Sequence, residues 1–166
     1  MSQRHDELRQ SVTSGYEDMR ALFGQLTPEA MQRPATDGWT VAQLAGHIAV
    51  SPRGQIFLIN RLRKGRNATV PKPLAFIVNI RNWWMVRGFK NPTREELISA
   101  LDDAHGELLA CIEGISDEEL DNAGTVFNSG YQTVFESVKG GADHSREHAA
   151  VLRAAAGVES AVAATP

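Results

Sequence analysis

Residues 37–49 read Asp37-Gly38-Trp39-Thr40-Val41-Ala42-Gln43-Leu44-Ala45-Gly46-His47-Ile48-Ala49, and this stretch decides the architecture. Thr40 stands directly before Val41, Leu44, Ala45 and Ile48, apolar residues at three- and four-residue spacing. A hydroxyl oxygen there can accept from the free N–H groups of a first helical turn, so Thr40 reads as the N-cap of an amphipathic helix. His47 follows Leu44 by three residues and adjoins Ile48, on the apolar side of that helix. The helix should run towards Lys64. Pro52 removes a backbone hydrogen bond and crowds the preceding turn, which predicts a kink or break near Val50–Ser51.

Working outward, the same periodicity recurs. Leu8, Val12, Met19, Leu22, Phe23 and Leu26 predict a first amphipathic helix over residues 5–26, with a turn opening at Thr27-Pro28 and a loop from Pro34 to Gly38. Residues 65–73 read as loop. Residues 74–89 are apolar nearly all round, which predicts a helix buried in its own chain or at a contact between two copies. Adjacent Trp83 and Trp84 face different ways there, one into the core and one towards a dimer contact or pocket wall. Thr93…Glu96, Ser116…Glu119 and Thr133…Glu136 each match a capping box. The first opens a helix that carries Leu97, Leu101, Ala104, Leu108 and Ile112, and the second opens a short one. The third opens a long last helix ending at Gly157. No alternating run calls for a sheet. The fold class expected is all-α, an antiparallel bundle of about four long helices, with one domain over 1–157 and a disordered tail over 158–166.

The chain has 166 residues, 42% hydrophobic and 22% charged, enough for one core. A single cysteine, Cys111, excludes an internal disulfide and reads as a small buried residue. A polar N-terminus without a secretory signal and a longest apolar stretch too short to span a bilayer point to a cytoplasmic protein with no membrane partner. The net charge of −3 is unevenly spread. No acid lies between Asp37 and Glu95, whereas ten Lys and Arg residues do, including Arg53, Arg61, Arg63 and Lys64. The interval is either a solvated face balanced by acidic helices or a patch that attracts an anionic ligand.

Among five histidines, His144 and His148 lie four residues apart on the last helix, close enough for two imidazoles to share one ion. The face runs through Ser137, Gly141, His144, His148, Val151 and Ala155, which predicts rings aimed at the bundle interior. Gly140 and Gly141 leave room there for a helix or ligand. With His47 this makes a one-plus-two set of nitrogens, leaving a coordination position open as catalytic sites do. The alternative is a core His47 with two surface histidines beside Glu147. Glu147 lies about 60° from His144 around the helix and is no obvious base, and the motif is not H-E-x-x-H. His5 and His105 stand among polar residues and are expected to be exposed. Trp39 reads as packing before the cap, and Ser51 and Tyr131 as candidates for the mouth of the site.

The Asp37–Ala49 stretch resembles the second-helix motif of the DinB/YfiT-like superfamily, and Asp143-His144-Ser145-Arg146-Glu147-His148 resembles its last-helix histidine pair. The resemblance implies an up-down-down-up four-helix bundle that holds a divalent ion, zinc or nickel, on His47, His144 and His148. It also implies kinship with thiol-dependent enzymes, among them mycothiol-dependent maleylpyruvate isomerase and bacillithiol transferases. The leading expectation is thus a transferase or isomerase working with a low-molecular-weight thiol, whose anionic groups the basic interval would hold. A hydrolase on the same site is the alternative. A metal-stabilised module, homodimeric through residues 74–89, is another. Nucleic-acid binding is disfavoured by the acidic balance and the lack of a recognition motif.

Overall fold

The computed structural model describes residues 2–36, 38–69, 88–89, 91–127 and 129–158. Four long helices dominate: α1 (Gln3–Gly24), α3 (Val41–Leu62), α4 (Arg94–Glu113) and α5 (Val134–Ala156), with a one-turn helix α2 (Pro28–Met31) after the first. The expected helix over 74–89 lies outside the described residues except for Gly88 and Phe89. The tail from residue 159 onward also lies outside them.

Helix starts follow from side-chain chemistry. Thr40, Thr93 and Thr133 each accept from the N–H three residues on, while Gln43, Glu96 and Glu136 reach back to the cap's own N–H. Ser116 and Glu119 make the same reciprocal pair, yet only a 3-10 turn (Glu119–Asp121) follows. An antiparallel hairpin then begins, β1 (Ala123–Val126) against β2 (Gly130–Thr133), with Ala123 opposite Thr133 and Val126 opposite Gly130. This corrects the expectation of no sheet. The pairing is completed by the chain after α3: Ala68 donates to Thr125 O at 2.8 Å and accepts from Phe127 N at 3.1 Å.

Pro52 sits inside α3, which runs through it unbroken, so of the kink or break expected there the break does not occur. Its missing N–H costs one bond at the Ile48 carbonyl. The flanking turn is reinforced by Ser51, whose hydroxyl donates to His47 O at 2.8 Å, and by burial of Ile48, Ala49 and Ile59 on either side.

Cross-helix contacts fix the directions. Arg9 meets Glu113 and Arg20 meets Asp102, so α1 and α4 are antiparallel. Glu7 meets Lys139, and Arg146 reaches Ser11, so α1 and α5 run parallel. Arg53 meets Glu107 and Arg63 meets Glu119, so α3 and α4 run parallel. The order is up-down-down-up, as expected. These last pairs also place acids of α4 and its following turn against part of the basic interval. That supports the reading of a balanced face.

The core has two parts. Met19, Leu22, Phe23, Leu44, Ile48, Leu97, Leu101 and Leu152 belong to one cluster, and Leu8, Val12, Ile59, Leu62, Leu108, Ile112 and Val138 to the other. Between them Tyr16 and His105 stack with ring centres 4.0 Å apart, and Tyr16 donates to Asp102 at 2.9 Å. His105 is therefore buried and not exposed, and burial lowers its pKa. His5 is buried too, its Nε2 2.8 Å from Ile115 O. Both corrections have one cause: polar sequence neighbours on a helix lie on other faces. Cys111 is half-buried, and burial raises its thiol pKa.

Candidate functional site

His47 on α3 and His144 and His148 on α5 are brought together where these antiparallel helices meet. The His47 and His148 ring centres are 5.6 Å apart, edge to face, and those of His144 and His148 are 4.3 Å apart. The Nε2 atoms of His144 and His148 face each other at 2.9 Å. Trp39 packs partly on the core, as expected, and its ring also lies 5.2 Å from that of His47.

The faces differ from the sequence expectation. The stripe of α5 that enters the core is Val134, Val138, Ala142, Ala149, Leu152 and Ala156. His148 is half-buried at its edge, while the His144 side chain is 59% exposed and Val151 is exposed. The histidine face thus opens on a cleft and not on the bundle interior. Two imidazoles in the apolar core would leave ring nitrogens unsatisfied.

His47 is the most constrained of the three. Its Nδ1 is buried and, among the described residues, has no hydrogen-bond partner. Burial first, then the neighbouring His148 and His144, lowers its pKa from the usual 6.5 to about 4. The pKa of His148 is lowered by burial and by His144. Neutral imidazoles with free lone pairs are the form that ligates metals. An unpartnered nitrogen inside a protein normally costs stability unless something binds it.

Among the described residues, no three His, Cys, Asp or Glu side chains converge as a finished ligand set. The shortfall is small. Imidazoles sharing one tetrahedral ion have ligating nitrogens roughly 3.3 Å apart and ring centres roughly 5 Å apart. The His47–His148 spacing fits this. The His144–His148 pair is closer because the two rings bond each other, and His144 is exposed and free to open. The donor chemistry and the orphaned nitrogen fit a divalent ion.

His47 and His144, but not His148, border a cleft of about 540 Å³ between α3, α5 and the hairpin, lined among others by Ser51, Gln55, Ser129, Gln132, Gly140 and Glu147. Ser51 lines it as expected. Tyr131 does not, because β2 turns it outward at 76% exposure and presents Gln132 instead. The hairpin wall escapes the sequence reading, although Thr125, Val126 and Phe127, the turn Asn128-Ser129-Gly130 and then Tyr131 carry a strand-turn-strand signal. Gly140 is open, and at Gly141 an added Cβ would overlap the Gln55 amide. The expectation that basic side chains hold an anionic cofactor finds no support among the described residues. Among them no Lys or Arg lines the cleft, and Asp143 and Glu147 do.

The chain belongs to the DinB superfamily, whose model matches residues 12–152. No curated protein matches it. Its fold is similar to that of YfiT from Bacillus subtilis, described as "a probable metal-dependent hydrolase with an unusual four-helix bundle topology" (TM-score 0.72, 18% identity, 93% of this chain and 87% of that one). It is also similar to mycothiol-dependent maleylpyruvate isomerase (TM-score 0.69, 14% identity, 92% of this chain), of which it spans 63%. At these identities the likeness is one of fold. Among the described residues no helix is long and apolar enough to cross a membrane.

Proposed function

We propose that His47, His144 and His148 hold one divalent metal ion, zinc or nickel, and that the chain is a metal-dependent enzyme acting on a small molecule in the adjoining cleft, with a thiol-dependent transfer or isomerisation as its reaction. The observation that carries this reading is the buried Nδ1 of His47, unpartnered among the described residues, on a side chain that borders the cleft and whose ring centre stands 5.6 Å from that of His148. Such an ion, with a position left open, lowers the pKa of a thiol or water that it binds.

The chain's own residues would do the rest. Burial keeps His47 neutral across the physiological range, so no proton has to leave before it ligates. Glu147 Oε2 lies 3.7 Å from His144 Nδ1, on the opposite side of the ring from the Nε2 that faces His148. The Trp39 ring packs beside that of His47, with centres 5.2 Å apart. Ser129 and Gln132 offer hydrogen bonds to a bound molecule from the opposite wall. A hydrolase on the same site is the second reading, favoured by the similarity to YfiT over 87% of that chain's length.

Elemental analysis of purified and zinc- or nickel-reconstituted protein tests the site, with a His144→Ala/His148→Ala variant beside it. About one ion per chain is expected in the wild type and none in the variant. Wild-type protein that neither carries nor takes up an ion would end the proposal. A shift in melting temperature on adding a small thiol to the metal-loaded protein supports the thiol reaction. Turnover of an ester or amide substrate without thiol supports the hydrolase.

A further inference from the structure

Beside the cleft lies a second, smaller and partly open space of about 40 Å³, and Pro52, Gln55, Gly141 and Ser145 line both. It falls between the two core clusters, walled by Met19, Ile48, Leu101 and Leu108 and by the stacked rings of Tyr16 and His105. One water needs roughly 10–15 Å³ of such space, so the chamber is larger than a packing defect. Its walls are apolar apart from the ring pair, Gln55 and Ser145, and burial lowers the pKa of His105.

Gln55 separates chamber from cleft. Its Nε2 donates to Ser137 O at 3.3 Å and to Val138 O at 3.1 Å across the α3–α5 contact. The first bond is long, and both acceptors belong to a turn of α5 whose carbonyls the helix already satisfies. The amide occupies the place a Cβ of residue 141 would take, so glycine there is what lets it sit.

We propose that the Gln55 amide is a specificity-determining partition between the cleft and an adjoining, mostly apolar subsite, and that the subsite admits an uncharged ring or short alkyl group of a ligand from the cleft when the amide leaves its seat. The inference rests on the cleft as a binding surface, not on the metal.

The test is binding of fluorobenzene, followed by fluorine NMR on the whole chain with and without zinc. Gln55→Ala removes the partition, and Gly141→Ala displaces it with Gln55 still present. Both should bind the probe at least about ten-fold more tightly than wild type, with or without zinc. Adding Leu108→Phe to Gln55→Ala should fill the chamber and abolish the gain. The proposal is overturned if wild type binds as tightly as both opened variants, if neither variant gains affinity, or if the filled variant keeps the gain. Should Gln55→Ala not fold, the affinity of Gly141→Ala alone decides between gain and no gain. A protein that takes up no metal but shows these gains fails the metal reading and keeps this one.

Discussion

Acidifying the metal-free protein should weaken it in part through His47, beside His105 and His148 whose pKa values burial also lowers, and replacing His47 by glutamine should remove its share of the loss. An imidazole in the unfolded chain takes a proton near pH 6.5, whereas His47 in the folded chain takes it only near 4. Between these values the unfolded state binds more protons, so this contribution to stability is full above 6.5 and lost as the pH falls towards 4. From about pH 7.5 to about pH 5 the shift corresponds to roughly 2 kcal/mol. His47 is only half-buried, and screening at its exposed edge brings the expected loss to about 1–2 kcal/mol. Urea unfolding in the presence of a chelator, repeated across this range, measures it. Glutamine is uncharged throughout, so the His47→Gln curve should fall with pH by that much less. Equal slopes for the two proteins would refute the account of a buried, proton-poor imidazole.

Three further outcomes are expected. Chelation of metal-loaded protein should lower its melting temperature by about 5–10 °C, since saturation at 100-fold over the dissociation constant is worth about 2.7 kcal/mol in a domain of this size; the His144→Ala/His148→Ala variant should show no such drop. Gly46→Ala places a Cβ inside the Phe89 ring and should cost about 1–3 kcal/mol, much of it recovered when Phe89 is also changed to alanine; additive losses in this double-mutant cycle would deny the contact. Thr133→Ala removes the cap of α5 and should cost about 1 kcal/mol in urea unfolding, and no loss would mean that the hairpin alone holds the helix start.

The long helices are legible because their signals are local. Threonine caps, three- and four-residue apolar spacing and the Gly157 stop, which takes φ 69°, are read within a turn or two. The site is legible in its members but not in its surroundings. Spacing puts His144 and His148 on one face, yet whether that face meets core or water depends on where Leu152 and Val138 find partners on other helices. His5 and His105 show the same limit: acids beside them in sequence say nothing of Ile115 O or the Tyr16 ring, which tertiary packing brings to them. Pro52 does not end the helix because a helix can lose one bond when both flanks are buried. The partition at Gln55 has half a signal, the paired glycines at 140 and 141, and needs the opposite helix to complete it.

Thr133 ends β2 and is also the residue whose side chain starts α5. The phase of the last helix is therefore geared to the hairpin ladder. A residue added between Thr133 and Val134 would turn everything after it by about 100°, carrying both histidines away from His47. A residue added at the hairpin tip leaves the gearing intact and alters only the rim of the cleft. The joint separates two kinds of change: tip length is free to vary with the molecule being held, while the junction itself admits no insertion without losing the site.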